Sequence, residues 1–195
     1  PKLRGPRNHI RHALDHPHRS EPLRELLTPG MKLTIAIDDI SIPLPPMQSP
    51  DIRQLVLEEV IELAARRGVD DGKLCMANSL HRRMTADEIK HAVGERVFRS
   101  FYPKDLKNHD AEDPENLAYV GKTDQGEEVE INKRAMESDL LIYVNINLVA
   151  MDGGHKSVPV GLASYRSVKH HHNVHTMLHS KSYMDPRPGR SAIHD

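Results

Sequence analysis

MKLTIAID, residues 31–38, is a short run of apolar and β-branched side chains that ends in an acid. Such a run reads as a strand buried on both faces, the kind found inside a parallel sheet. Its sequel, DISIPLPPMQSP (39–50), carries prolines that neither a helix interior nor a central strand tolerates. Next comes SPDIRQLVLEEVIELAARRGV (49–69), where Ile52, Leu55, Val56, Val60, Ile61, Leu63 and Ala64 recur at helical spacing. Ser49 is the expected cap of this helix, with Pro50 just inside and Gly68 as the stop.

The pattern repeats. KLCMANS (73–79) reads as a second strand, and TADEIKHAVG (85–94) as a second helix in which Thr85 and Glu88 form a capping box. The order strand, loop, helix, strand, loop, helix predicts an α/β fold: a mostly parallel, Rossmann-like sheet with helices on both faces and the site at the strand C-termini.

Outside this core, residues 1–30 form a polar extension with two short helical stretches, IRHALDHP (10–17) and EPLRELLTPG (21–30). After residue 95 the pattern loosens. LAYVGKT (117–123) and EEVEIN (127–132) read as an antiparallel pair around DQG, followed by a short helix or turn in INKRAMES (131–138). DLLIYVNINL (139–148) is the strongest strand, and SYRSVKHHH (164–172) is expected to be helical. From 174 on no periodicity is evident. The expected organisation is an extension (1–30), a cofactor-binding α/β domain (31–175) and a segment (176–195) leading toward a second domain that the chain does not contain whole. Three loops, 39–48, 80–85 and 149–161, each follow a strand and are expected at one edge of the sheet.

Composition narrows the function. Hydrophobic residues make up 37% and charged residues 28%, as in a soluble globular protein. With aromatics at 4% and no Trp, the core must be aliphatic. The net charge of −1 provides no basic excess for nucleic acid. No apolar run reaches the roughly 18 residues of a membrane span. The N-terminus has no apolar signal core, and Cys75 is the sole cysteine, so a reducing cytoplasm is the expected location. The chain starts at Pro1 without an initiator Met and is expected to be processed or a fragment. Histidine is the outlier at 14 residues, which points to metal or acid–base chemistry.

Three clusters carry that chemistry. In DGGHKS (152–157), glycines before Lys156 allow close backbone approach to a ligand, and a lysine in a dry pocket can act as nucleophile or anchor. The spacing is not that of a P-loop. In KHHHN (169–173), successive helical side chains diverge by about 100°, so a single imidazole would serve a metal whose other ligands come from a cofactor; a solvated helix end is the alternative. In NSLHRRMT (78–85), His81 stands between strand and helix, placed for acid–base work or simply part of a basic turn. Asp38 and Asp39 end the first strand, suited to ribose hydroxyls or a metal, or to solvent.

Taken together, these loops resemble the nickel-dependent lactate racemase family, in its N-terminal domain. GGHKSVPVGLASYRSVKHHHN (153–173) resembles that family's Gly-Gly-Arg-Lys-Ser, Pro-Gly, Ala-Ser-Tyr pattern, with a histidine sixteen residues past the lysine. ANSLHRRMT (77–85) is similar to Ala-Thr-Gly-x-His-Arg-x-x-Thr, and INKRAMESDLLIYVN (131–145) to the approach strand. The resemblance implies a racemase or epimerase, an isomerase using a nickel pincer nucleotide. Lys156 would be its covalent anchor and a catalytic residue, His172 the nickel ligand and His81 an acid–base catalyst. Asp39, Gly153, Gly154, His155 and Ser157 would contact the cofactor. It further implies a small hydroxy-acid substrate, cofactor-synthesis enzymes as partners, and compatibility with a homo-oligomer.

The chain departs from the pattern at three places. Ile146, with Asn147 beside it, stands where the family has a second catalytic histidine; Ile42 replaces a substrate-clamping arginine; His155 replaces the arginine before the anchor lysine. His155 and Asp152 are the nearest alternatives in sequence for a second base. The lost arginine removes a bidentate carboxylate contact and points to another hydroxyl substrate, such as a sugar acid epimerised at one carbon. The alternative is an altered or non-catalytic relative that binds a nucleotide or metal without racemase activity. A His-rich metal-binding module leaves the ordered motifs unexplained.

Overall fold

The computed structural model describes residues 5–40, 49–146 and 157–179. The chain divides into two compact units, one drawn from 1–76, 84–107 and 138–144, the other from 77–83, 108–137 and 145–195.

The first unit holds a four-stranded sheet in the order β3-β2-β1-β6. β1 (Lys32–Asp38) is the strand expected from MKLTIAID, and every residue after Lys32 is buried. It runs parallel to β6 (Leu140–Val144), with Leu33 opposite Leu140 and Ile37 opposite Val144. β2 (Asp71–Ala77) flanks β1 on its other side, and β3 (Leu106–Asn108) completes the sheet. A strand with neighbours on both edges and both faces covered has no use for alternation, which is why the interior of β1, residues 33–37, is an unbroken apolar run apart from Thr34. That buried hydroxyl meets the Ser138 hydroxyl at 2.6 Å.

Helices α3 (Ile52–Arg66), α4 (Ala86–Val93) and α5 (Glu95–Phe101) share the core with the sheet. Leu57 and Val60 of α3, Ile89 and Val93 of α4, and Val97 of α5 cluster with Leu33, Ile35, Ile37 and Met76. The Thr85–Glu88 capping box is present, with both reciprocal hydrogen bonds. Gly94 joins α4 to α5 at φ 82°, and a Cβ there would lie 2.3 Å from the Gln54 side chain; only glycine satisfies both demands. α5 and β3 fall in the stretch whose sequence pattern is loose.

α3 begins two residues later than expected. Its cap is Asp51 rather than Ser49: the Asp51 carboxylate accepts the Arg53 N–H at 2.8 Å. The same carboxylate holds the Arg53 guanidinium (3.1 and 2.8 Å). An acid satisfying both the helix end and a buried arginine outcompetes a lone hydroxyl. α1 (Pro6–Asp15) is tied to α3 through Arg7 and Arg11 on Glu59, and α2 (Leu23–Leu26) precedes β1. Those guanidiniums hold the Glu59 carboxyl below the usual carboxylate range, against the effect of its own burial.

The second unit is built on the antiparallel hairpin β4 (Leu117–Lys122) and β5 (Glu128–Asn132), with a register shift between Tyr119 and Gly121. Residues 162–164 add a third edge: Ile131 bridges Ala163 antiparallel, the Asn132 N–H donates to Leu162 O at 2.8 Å and the Ser164 N–H to Glu130 O at 3.0 Å. Four short helices complete it: α6 (Lys133–Met136), α7 (Ser157–Gly161), α8 (Tyr165–Val168) and α9 (Val174–His179). α8 is shorter than SYRSVKHHH suggests. Asn173 ends the turn that follows it, its amide donating to Lys169 O and His170 O. The Asn173 carbonyl oxygen then accepts the Thr176 N–H and opens α9, where no period was visible.

Candidate functional site

On leaving β2 the chain turns at once. The His81 N–H donates to Asn78 O at 2.7 Å. Ser79 fastens this turn to residues 161–163: its N–H meets Gly161 O at 3.4 Å and its hydroxyl donates to Ala163 O at 2.8 Å. Ala163 O accepts a second bond, from His109 Nε2–H at 3.0 Å, and one carbonyl has lone pairs for both.

His109 is buried, with only 2% of its surface exposed. Its Nδ1 accepts from the Asn132 side-chain amide at 3.1 Å, while Asn132 Oδ1 caps α6 through the Ala135 N–H. One ring nitrogen therefore donates and the other accepts, which is the neutral imidazole. Burial pushes its pKa below the ordinary 6.5, against the opposing effects of the Ala163 carbonyl and Asp110.

Around this framework lies a cavity of about 370 Å³ lined by Asn78, Ser79, Leu80, His81, Arg83, His109, Asp110, Ala111, Glu112 and Tyr165. All of these residues belong to the second unit. His81 is exposed at it. Arg83 is paired with Asp110, and Asp110 also accepts the Glu112 N–H at 3.1 Å. Asn78 is 2% exposed, and its side-chain oxygen Oδ1 is buried without a hydrogen-bond partner among the described residues. Leaving such an acceptor unmet costs about 1–3 kcal/mol.

His172 is exposed, following α8. Its Nδ1 lies 2.7 Å from Nδ1 of His171, so one of the two rings donates to the other. Ser157 is buried as the first residue of α7. Gly153, Gly154, His155 and Lys156 lie outside the described residues, as do Ile42 and Asn147.

In the first unit, Asp38 and Asp39 are buried at the end of β1 rather than facing solvent. Arg53 Nη1 donates to both of their backbone carbonyls, at 2.8 and 3.1 Å, while its other nitrogens hold Asp51. Burial and the Asp38 carboxylate, which accepts the Tyr143 hydroxyl, push the Tyr143 phenol far up. Cys75 in β2 is also buried, which raises its thiol pKa to about 12 and leaves it inert.

Asn78 and His109 were not singled out by sequence reasoning. His109 is one of 14 histidines in a polar stretch. No local signal separates it from the rest; only its two distant partners do.

With this geometry in place, comparison with known proteins decides the family. The lactate racemase N-terminal domain profile matches residues 2–185. The chain belongs to that family. It is 28% identical over 84% of its length to a lactate racemase of Thermoanaerobacterium thermosaccharolyticum. It is 27% identical over the same share to that of Lactiplantibacillus plantarum. It spans only 37% and 38% of those two relatives. The lactate racemase apoprotein structure from T. thermosaccharolyticum superposes with a TM-score of 0.68 at 25% identity, over 84% of this chain and 38% of that one. A crystal structure of a Thermotoga maritima protein shares the fold, with a TM-score of 0.59 at 23% identity over 84% of this chain and 40% of that one. The α/β fold with a parallel sheet accords with the expectation from sequence. Among the described residues, no helix is long and apolar enough to cross a membrane.

Proposed function

We propose that this chain is the N-terminal part of a racemase or epimerase acting on a 2-hydroxy acid or sugar acid, with a lysine-tethered nickel pincer nucleotide as cofactor. The observation that carries the reading is His81: the histidine of the family motif is exposed at a polar cavity of about 370 Å³. An exposed imidazole is suited to take a hydroxyl proton and return it.

The residues fit such a cofactor in the chemistry of their donor set. Among the described residues no group of three or more His, Cys, Asp or Glu side chains can hold a metal ion. In the proposed arrangement one imidazole comes from the protein and the cofactor brings the other ligands of the metal. His172 is exposed and supplies a nitrogen that suits nickel without unpacking a buried ring. Lys156 would tether the nucleotide, and Gly153, Gly154, His155, Ser157 and Asp39 would contact it. The chemistry such a group would supply when bound is that of a reversible hydride acceptor. His81 holds the proton of the substrate hydroxyl meanwhile.

The test is the mass of the Lys156 peptide from full-length protein produced with a cofactor-synthesis system and nickel. Metal is counted in the same sample. A nucleotide-sized adduct with about one nickel per chain is expected from one His ligand and one pincer. An unmodified Lys156 under loading conditions would sink the tethered-cofactor reading. A loaded protein without turnover would mark the altered relative that Ile146 and Ile42 favour.

A further inference from the structure

We propose that Asn78 is a specificity residue: its side-chain carbonyl accepts a hydrogen bond from a second hydroxyl of the substrate, selecting acids hydroxylated on the carbon next to the reacting one. The inference rests on the reading of His81 given above and deepens it.

Two observations meet at one turn. Asn78 lines the cavity, and its Oδ1 is buried with no partner among the described residues. Buried polar atoms are almost always hydrogen-bonded, so an orphan beside a cavity calls for an explanation. The second observation is adjacency: the His81 N–H bonds Asn78 O at 2.7 Å, so both side chains spring from the same tight turn. The terminal torsion of asparagine is broad, so its side-chain amide can turn to meet a ligand in the cavity it lines.

The chemistry of the acceptor fixes what it takes. An amide oxygen needs a donor, so a substrate carboxylate cannot satisfy it. The reacting hydroxyl cannot either, because it has one proton and that proton goes to His81 in the proposed reaction. Three of the neighbouring side chains are already engaged. Ser79 donates its hydroxyl proton to Ala163 O, Arg83 is held by Asp110, and the His109 ring is bonded at both nitrogens. A hydroxyl on the adjacent carbon has the missing proton. Lactate has a methyl group there and leaves Oδ1 unmet.

Glycerate (2,3-dihydroxypropanoate) and lactate differ by this one hydroxyl, which makes them the probes. Equilibrium binding and kcat/KM for both are measured on the full-length, cofactor-loaded protein, in wild type, Asn78→Leu and Asn78→Asp. One net hydrogen bond predicts a preference for glycerate of about tenfold. That ratio is expected to fall to about one in N78L and to persist in N78D, which keeps an acceptor oxygen and guards against a fold defect. Equal binding of the two acids by wild type, or a ratio that N78L leaves intact, would overturn the subsite even if both acids are isomerised. Preferential binding of glycerate that N78L abolishes, with neither acid isomerised, would keep the subsite and overturn the isomerase reading instead.

Discussion

The two units of this chain are held together by different means. The first is organised by apolar burial: β1 is covered on both faces, and Leu57, Val60, Met76, Ile89 and Val93 around it are wholly buried. Its polar exceptions are tightly satisfied, as Arg53 shows by binding Asp51 and two strand-end carbonyls. The second unit has short elements and is stitched by polar bonds through Ser79, His109, Asn132, Ser164 and Asn173. The difference teaches where a site can be placed. Among the described residues the packed sheet unit shows no buried side-chain polar atom left unmet, whereas the polar framework does, Asn78 Oδ1 of a cavity-lining residue among them.

The sharpest way to break this comparison is to damage the first unit through the buried Arg53–Asp51 ion pair. Arg53→Met strands the Asp51 carboxylate, whose side chain has no exposed surface. Removing one partner of a buried pair costs about 3–5 kcal/mol, read as a drop in the denaturant midpoint. The double variant Arg53→Met/Asp51→Ser keeps a helix cap and removes the stranded charge, so it is expected to recover part of the loss. No recovery would mean that Arg53 matters for the strand-end carbonyls rather than for Asp51.

A smaller effect is expected at α4. Thr85→Ala removes the side chain that accepts the Glu88 N–H and is expected to cost about 1 kcal/mol by the same measurement. A change near zero would show that burial of Ile89 and Val93 holds this helix without its cap.

The smallest effect at neutral pH, and the one that speaks to the second unit, comes from His109. Its folded pKa is depressed by burial, so the unfolded chain takes up a proton more readily below the ordinary 6.5. The contribution of the neutral ring is intact above that pH and is lost as pH falls toward the lower folded value. His109→Gln does not titrate, and its stability is expected to decline less steeply than wild type on going from neutral pH to mildly acidic pH. Equal slopes in urea unfolding would remove His109 as the pH-sensitive element of this unit.

Much of the fold was legible because its signals are local. The apolar run of β1, the helical period of α3, the Thr85–Glu88 box and the hairpin around DQG each depend on residues a few positions apart, and each appears where the sequence puts it. The family motifs, too, brought His81 into view. What the sequence could not settle depends on partners far along the chain. Asp51 displaced Ser49 as a cap because a buried arginine also needed it. His109 stands apart from the other histidines only through Asn132, 23 residues on, and Ala163, 54 residues on. Asn78 is notable only because folding surrounds its oxygen and supplies no donor. Propensity and period are properties of neighbours in sequence; burial and hydrogen-bond satisfaction are properties of neighbours in space, and only the folded chain sets those.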